Sequence, residues 1–209
     1  MTTQLLSRRP HRPKPGLGFL DGLALAPSRV HEFCGPARRT QALIAARALD
    51  GPVFWIHPAW GPDRLHAEGI LPFINPGRLS FVAPRRAEDL LWSMEEVLRA
   101  GCVPLVVCEL PGLPGLTPVR RLHLAAETAA REQKLSTLGL ILLPGAGGAP
   151  GVESRWHMAP AHHGDQARWR LERRRARMDP PKAWMLSQDG QSFTLATPPS
   201  QQPAGAVSP

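Results

Sequence analysis

Apolar runs of four to eight residues recur through the middle of the chain, at Val30 to Cys34, Val53 to His57, Leu79 to Val82, Val103 to Leu110 and Leu138 to Leu143. They are continuous instead of alternating, so each predicts a strand buried on both faces, as in a mostly parallel sheet flanked by helices. The segments between them have helical spacing. Thr40 to Leu49 is alanine-rich, Ala87 to Arg99 carries Leu90, Leu91, Met94, Val97 and Leu98, and Pro118 to Lys134 carries Val119, Leu122, Ala125, Ala126 and Ala129. Gly101 stands just past the second of these, where a helix stop belongs. Alternating strand and helix predict an α/β fold with right-handed crossovers.

Beyond about residue 152 the period changes to two. In ESRWHMA, Trp156 and Met158 alternate with Arg155 and His157; in RWRLE, Trp169 and Leu171 alternate with Arg168, Arg170 and Glu172. PAHHGDQ between them supplies a turn, which predicts an antiparallel hairpin closing one edge of the sheet. The hairpin would carry Arg155, His157, Arg168 and Arg170 on one face and its tryptophans in the core.

Composition adds boundaries and a charge. With 209 residues, 43% of them hydrophobic, the chain is long enough for one well-buried core. One domain is expected over residues 29–194, preceded by a basic, proline-containing arm at 1–28 and followed by a disordered tail at 195–209. The net charge of +8 favours a polyanionic partner such as nucleic acid. Between Arg155 and Lys182 stand eight basic residues against three acidic ones, so most of that surplus sits in one stretch. Arg173, Arg174, Arg175 and Arg177 belong to it with the hairpin arginines, and the set is the candidate surface for DNA or a partner.

Cys34, Cys102 and Cys108 have neither disulfide nor zinc spacing. The N-terminal MTTQLLSRRPHRPKPG has no signal-peptide apolar core, and no run reaches the roughly 18 residues of a membrane span. A cytoplasmic protein is the expectation.

Candidate chemistry centres on residues 31–42, HEFCGPARRTQA, where a strand runs through Gly35 into a helix. A phosphate-binding loop at such a junction reads G-x-x-x-x-G-K-[ST]. Here Thr40 follows Gly35 after four intervening residues where the motif has six, so the wrap is roughly 7 Å less generous. Arg38 and Arg39 stand where a glycine and a lysine are needed. Thr40 keeps a hydroxyl that would serve equally as a helix N-cap.

The order of these motifs resembles the RecA-type ATPase core. More closely, VHEFCGPARRT, PAW at 58–60, PRRAEDLLWSMEEVLRAG at 84–101, LTPVRRLHLAAE at 116–127, ESRWHMAPA at 153–161 and RWRLERRRARMDPPKAW at 168–184 are similar to the RecA-like accessory proteins of bacterial inducible-mutagenesis cassettes, the ImuA family. The resemblance spans about residues 30–184. It implies a RecA-like sheet and a place in the DNA-damage (SOS) response, in translesion synthesis. The partners it implies are an ImuB-type inactive Y-family polymerase subunit and an error-prone replicative-type DNA polymerase, with RecA and DNA as open further partners and the nucleoid as the place of action after damage. It would also put an acid at Cys108 and a water-orienting Glu at Ala59. Glu109, one residue on, would point to the other face of its strand.

With the loop short, the lysine missing and those two acids missing, no ATP hydrolysis, no cofactor and no catalytic residue are expected. Weak anion binding at Gly35 to Thr40 stays open, since a helix N-terminus exposes N–H groups. Two other readings of the same residues are a slow ATPase using Arg38 or Arg39 with Glu109, and a division inhibitor of the SOS type. His157, His162 and His163 have no fourth ligand at metal-site spacing, and Cys108 inside VVCE reads as a small buried residue. Trp92 reads as core, whereas Trp60, in a Pro/Gly loop, is less easily explained by packing; the loop LPGLPGLT at 110–117 reads as a crossover or a docking loop.

Overall fold

The computed structural model describes residues 16–133 and 135–198. It opens on a hairpin, β1 (Leu17–Leu20) and β2 (Leu23–Leu25), turned at Asp21 and Gly22, the latter at φ 68. An Asp-Gly pair between apolar residues favours such a turn because glycine enters positive φ at no steric cost. Phe19, Leu23 and Leu25 are buried, and Phe19 meets Trp156 edge-on at 5.3 Å. The expected arm is thereby corrected: residues 17–25 form a core element, while residues 1–15 lie outside the described ones.

The five apolar runs form β3 (Val30–Cys34), β4 (Val53–Ile56), β5 (Leu79–Val82), β6 (Leu105–Glu109) and β7 (Leu138–Leu143). All five are parallel, and β3, β6 and β7 are buried along their whole length. Four further strands follow, β8 (Ser154–Pro160), β9 (Arg168–Ala176), β10 (Lys182–Asp189) and β11 (Ser192–Ala196). β8 lies parallel to β3, and β9, β10 and β11 continue antiparallel. The nine strands run β11-β10-β9-β8-β3-β7-β6-β4-β5. The β8–β9 hairpin is where the period of two placed it, but it is not the edge; two more strands lie outside it. β11 also takes in Leu195 and Ala196, which the expected tail had claimed. Residues 199–209 lie outside the described ones.

The helices are α1 (Arg38–Arg47), the single turn α2 (Ala67–Ile70), α3 (Ala87–Ala100) and α4 (Leu116–Glu132). α3 stops at Gly101 in the left-handed conformation, φ 57. α1, Ile70 and the β1–β2 hairpin bury one side of the sheet, and α3 and α4 bury the other. The chain moves outward from β3 to β4 and β5 with α1 on the first side, then returns through β6 and β7 with α3 and α4 on the second. Right-handed crossovers in opposite directions require opposite faces. Among the described residues no helix is long and apolar enough to cross a membrane.

Trp92 departs from expectation. It is 59% exposed on the outer side of α3, while Leu90, Met94 and Leu98 supply the buried stripe.

Candidate functional site

The strand-end junction is closed on itself. Gly35 ends β3 at φ 92, and a Cβ there would lie 2.5 Å from Met158 O and 2.7 Å from His157 Nε2. Only glycine lets β3 end this close to β8. Ala37 N–H donates to Met158 O at 3.0 Å, so the loop hydrogen-bonds the neighbouring strand instead of opening toward a ligand. The helix begins at Arg38, two residues ahead of the expected start. Its N-cap is Ala37, with no side-chain cap bond, so Thr40 is not the cap. The Arg38 guanidinium turns back to donate to Gly35 O at 3.2 Å.

Arg39 crosses to the end of β6. Its Nε reaches both Glu109 carboxylate oxygens, at 3.0 and 2.9 Å, and its Nη2 reaches Oε2 at 2.7 Å. The same Nη2 donates to Asp63 O, and Trp55 Nε1 donates to Glu109 Oε1 at 2.7 Å. Glu109 is 7% exposed. Cys108 and Glu109 lie on opposite faces of β6. Cys108 is buried on the α3 side, its thiol 3.6 Å from Leu90 O and pushed up by burial, and Glu109 is the acid that faces Arg39. Glu109 does leave on the other face of its strand, and that face turns out to be the side of α1. Arg39 and Glu109 thus neutralise each other, while Arg38, which lines the cleft over them, has no acidic partner among the described residues. A cleft of about 280 Å³ lies over the pair, with His57, Pro58 and the half-exposed Trp60 among its walls.

A second anion is held wholly inside. Glu32, on β3, is fully buried. Its carboxylate accepts from Gly148 N at 2.7 Å, Ala149 N at 2.9 Å and Arg155 Nε at 2.8 Å. The glycine-rich loop after β7 wraps it so closely that a Cβ on Gly147, at φ 72, would overlap Glu32 Oε1. A loop of this composition suits a phosphate, and here the protein's own carboxylate takes the N–H groups. Beside it, burial pushes the Cys34 thiol up to about 11. The sequence reading passed over Glu32, although an acid inside the run VHEFC, paired with the later GAGG, was the available signal.

The basic residues divide. Arg155, His157, Arg168, Arg170, Arg174 and Arg175 lie on one side of β8 and β9, all but Arg175 as alternation requires. A bulge opposite the step from Arg155 to Trp156 breaks the alternation at Arg174. Arg173 follows the alternation of Trp169 and Leu171 to the opposite side, where it pairs with Trp156, stacks 5.6 Å over its ring and 5.5 Å over that of Trp184, and binds Asp179 at 3.3 Å. Arg177 lines a small cavity on Arg173's side. Both are thus removed from the hairpin face. Arg155 is committed to Glu32, while Arg170 and Arg174 share Glu172, at 2.7 and 3.1 Å, and hold its carboxyl below the usual range. His157 is lowered by burial and by Arg174, against the pull of Glu172.

Among the described residues no group of three or more His, Cys, Asp or Glu assembles to hold a metal ion. Set against models of protein families and against curated proteins, the chain matches none.

Proposed function

We propose that the protein is a non-catalytic, RecA-like accessory factor of DNA-damage-induced mutagenesis, acting by docking instead of by turning over nucleotide. The observation that carries this reading is the ion pair: Arg39 and Glu109 neutralise each other where a nucleotide motor needs a cation for the phosphates and an acid for the metal. The order β5-β4-β6-β7-β3-β8, with its helices on both sides, supports a RecA-like sheet. The biological setting rests on the sequence resemblance to the ImuA family. In that setting the partners are the ImuB-type polymerase subunit and the error-prone polymerase.

A strain lacking the gene should lose most of its ultraviolet-induced mutation while dividing normally. Purified protein should release no phosphate from ATP above a no-protein control. An unchanged mutation frequency in that strain removes the accessory reading. ATP turnover that disappears in Glu109→Gln replaces it with the slow-ATPase reading. Division arrest on overexpression, with normal mutation frequency in the deletion strain, replaces it with the division-inhibitor reading.

A further inference from the structure

Among the described residues the antiparallel half of the sheet is covered on one side only. Trp156, Met158, Trp169, Leu171, Trp184 and Leu186 join the core beneath α1 and the β1–β2 hairpin. On the other side α3 and α4 pack on β3, β4, β6 and β7 and stop short of β9, β10 and β11. The register fixes what that open side carries. Arg170 lies between Ala159 and Met185, and Met185 lies beside Ala196. Arg168 lies beside Ser187, and Ser187 beside Thr194. Arg175 pairs with Arg155, and Ala183 pairs with Glu172. Among the described residues the row of arginines is thus set beside Ala159, Ala183, Ser187 and Thr194, with Met185 the one long apolar side chain next to it.

The charge of this face is one-sided. Arg155, Arg168, Arg170, Arg174 and Arg175 are opposed by Glu32 and Glu172, and Glu32 is fully buried beneath Arg155. Arg168 and Arg175 make no ion pair with the described residues. Among the described residues of these strands no tryptophan or phenylalanine belongs to the face, and its one ring, the His157 imidazole, is only 16% exposed.

We propose that this open face binds the sugar–phosphate backbone of single-stranded nucleic acid laid along β9. Arg168 and Arg170 are two residues apart on one strand, so their Cα atoms repeat at about 6.6 to 6.8 Å, close to the spacing of successive phosphates on an extended strand. A duplex is a stiff rod and meets a twisted sheet over only part of that row. With no stacking platform the contacts go to phosphate, which makes binding tolerant of sequence and steeply weakened by salt. The inference deepens the accessory reading and rests on it for its biological setting; the chemistry rests on the face alone.

The test is fluorescence anisotropy of the full chain with labelled oligothymidine about twenty nucleotides long, the matching duplex, and polyglutamate of similar charge. Oligothymidine is expected to bind tightest, with log affinity falling against log salt at a slope of about −2 to −3, for three to four phosphates at about −0.7 each. The double variant Arg168→Ser, Arg175→Ser leaves the internal ion pairs in place and should weaken binding about tenfold. The double variant Arg85→Ser, Arg86→Ser removes the same charge elsewhere and should leave affinity unchanged. Equal loss in both variants, equal affinity for polyglutamate, tighter binding of the duplex, or no binding at low salt each overturns the proposal. Any of these beside a strain that still needs the gene for induced mutation overturns this surface alone. Binding as expected in a protein that induced mutation does not need overturns only the accessory reading.

Discussion

Replacing Glu32 by alanine is expected to destabilise the fold by about 3 to 5 kcal/mol, the range seen when one partner of a buried ion pair is removed. Arg155 is 18% exposed at its side chain and would keep its charge against a wall built for a carboxylate. Gly148 and Ala149 would lose the acceptor of their N–H groups, and that of the buried Ala149 would be left open at about 1 to 3 kcal/mol if water does not replace it. Glu32→Gln fills the same volume and keeps one acceptor oxygen, so it should cost less than the alanine. Adding Arg155→Met to Glu32→Gln should recover part of the loss, because the unpaired cation goes with it. Denaturant midpoints at constant slope measure all three. A Glu32→Ala cost below about 1 kcal/mol would show that the loop relaxes and that the carboxylate is not its organiser.

The central strands were legible because both faces of β3, β6 and β7 are buried, which leaves a continuous apolar run that little else produces. α3 and α4 were legible from their stripes, α3 from its glycine stop as well, and α1 from its alanines, whereas the single turn α2 was not foreseen. What escaped has identifiable causes. The β1–β2 hairpin is only nine residues, LGFLDGLAL, beside a stretch rich in proline and arginine, and the average composition of the two outweighed its Asp-Gly turn. β10 and β11 carry mixed faces whose buried members, Trp184 and Leu186, are two residues apart in a segment too short to show a period clearly.

The site errors are errors of one residue. A strand reverses its side chains at each step, so the position where the resemblance puts an acid, Cys108, and the acid present, Glu109, lie on opposite sides of the sheet. The bulge at Arg174 turned Arg175 onto the face of Arg155, and a bulge has no signature in a run of arginines. Trp92 was misplaced because its helix stripe was complete without it. Composition could mark the basic stretch, but only the register could divide it into arginines that stack on tryptophan, arginines held by Glu172 and Glu32, and the two that pair with neither.

The second large effect is on pH. His31 is buried at the foot of β3, its Nε2 donating to Ala26 O at 3.0 Å and its Nδ1 accepting from Ser154 Oγ at 2.6 Å, while Trp156 Nε1 donates to the same hydroxyl at 2.7 Å. That chain of donors fits a neutral ring, and burial holds the imidazole down at about 4. Above pH 6.5 the ring is neutral folded and unfolded, and it contributes no pH dependence. As the pH falls from 6.5 toward 4 the unfolded chain takes up a proton that the folded one refuses, so stability falls with it. Over that window the loss reaches about 3 kcal/mol from this residue alone, and it levels off below pH 4 once the folded ring titrates too. His123, which accepts from Val30 N–H and donates to Gly151 O, is also lowered by burial and adds in the same direction. Denaturation curves at steps between pH 7 and 4 should therefore show a fall in stability that is markedly shallower in His31→Gln, which cannot titrate. Parallel curves for the two proteins would mean that the folded ring accepts its proton as readily as the unfolded one, and the neutral chain from Trp156 through Ser154 to Ala26 would have to be redrawn.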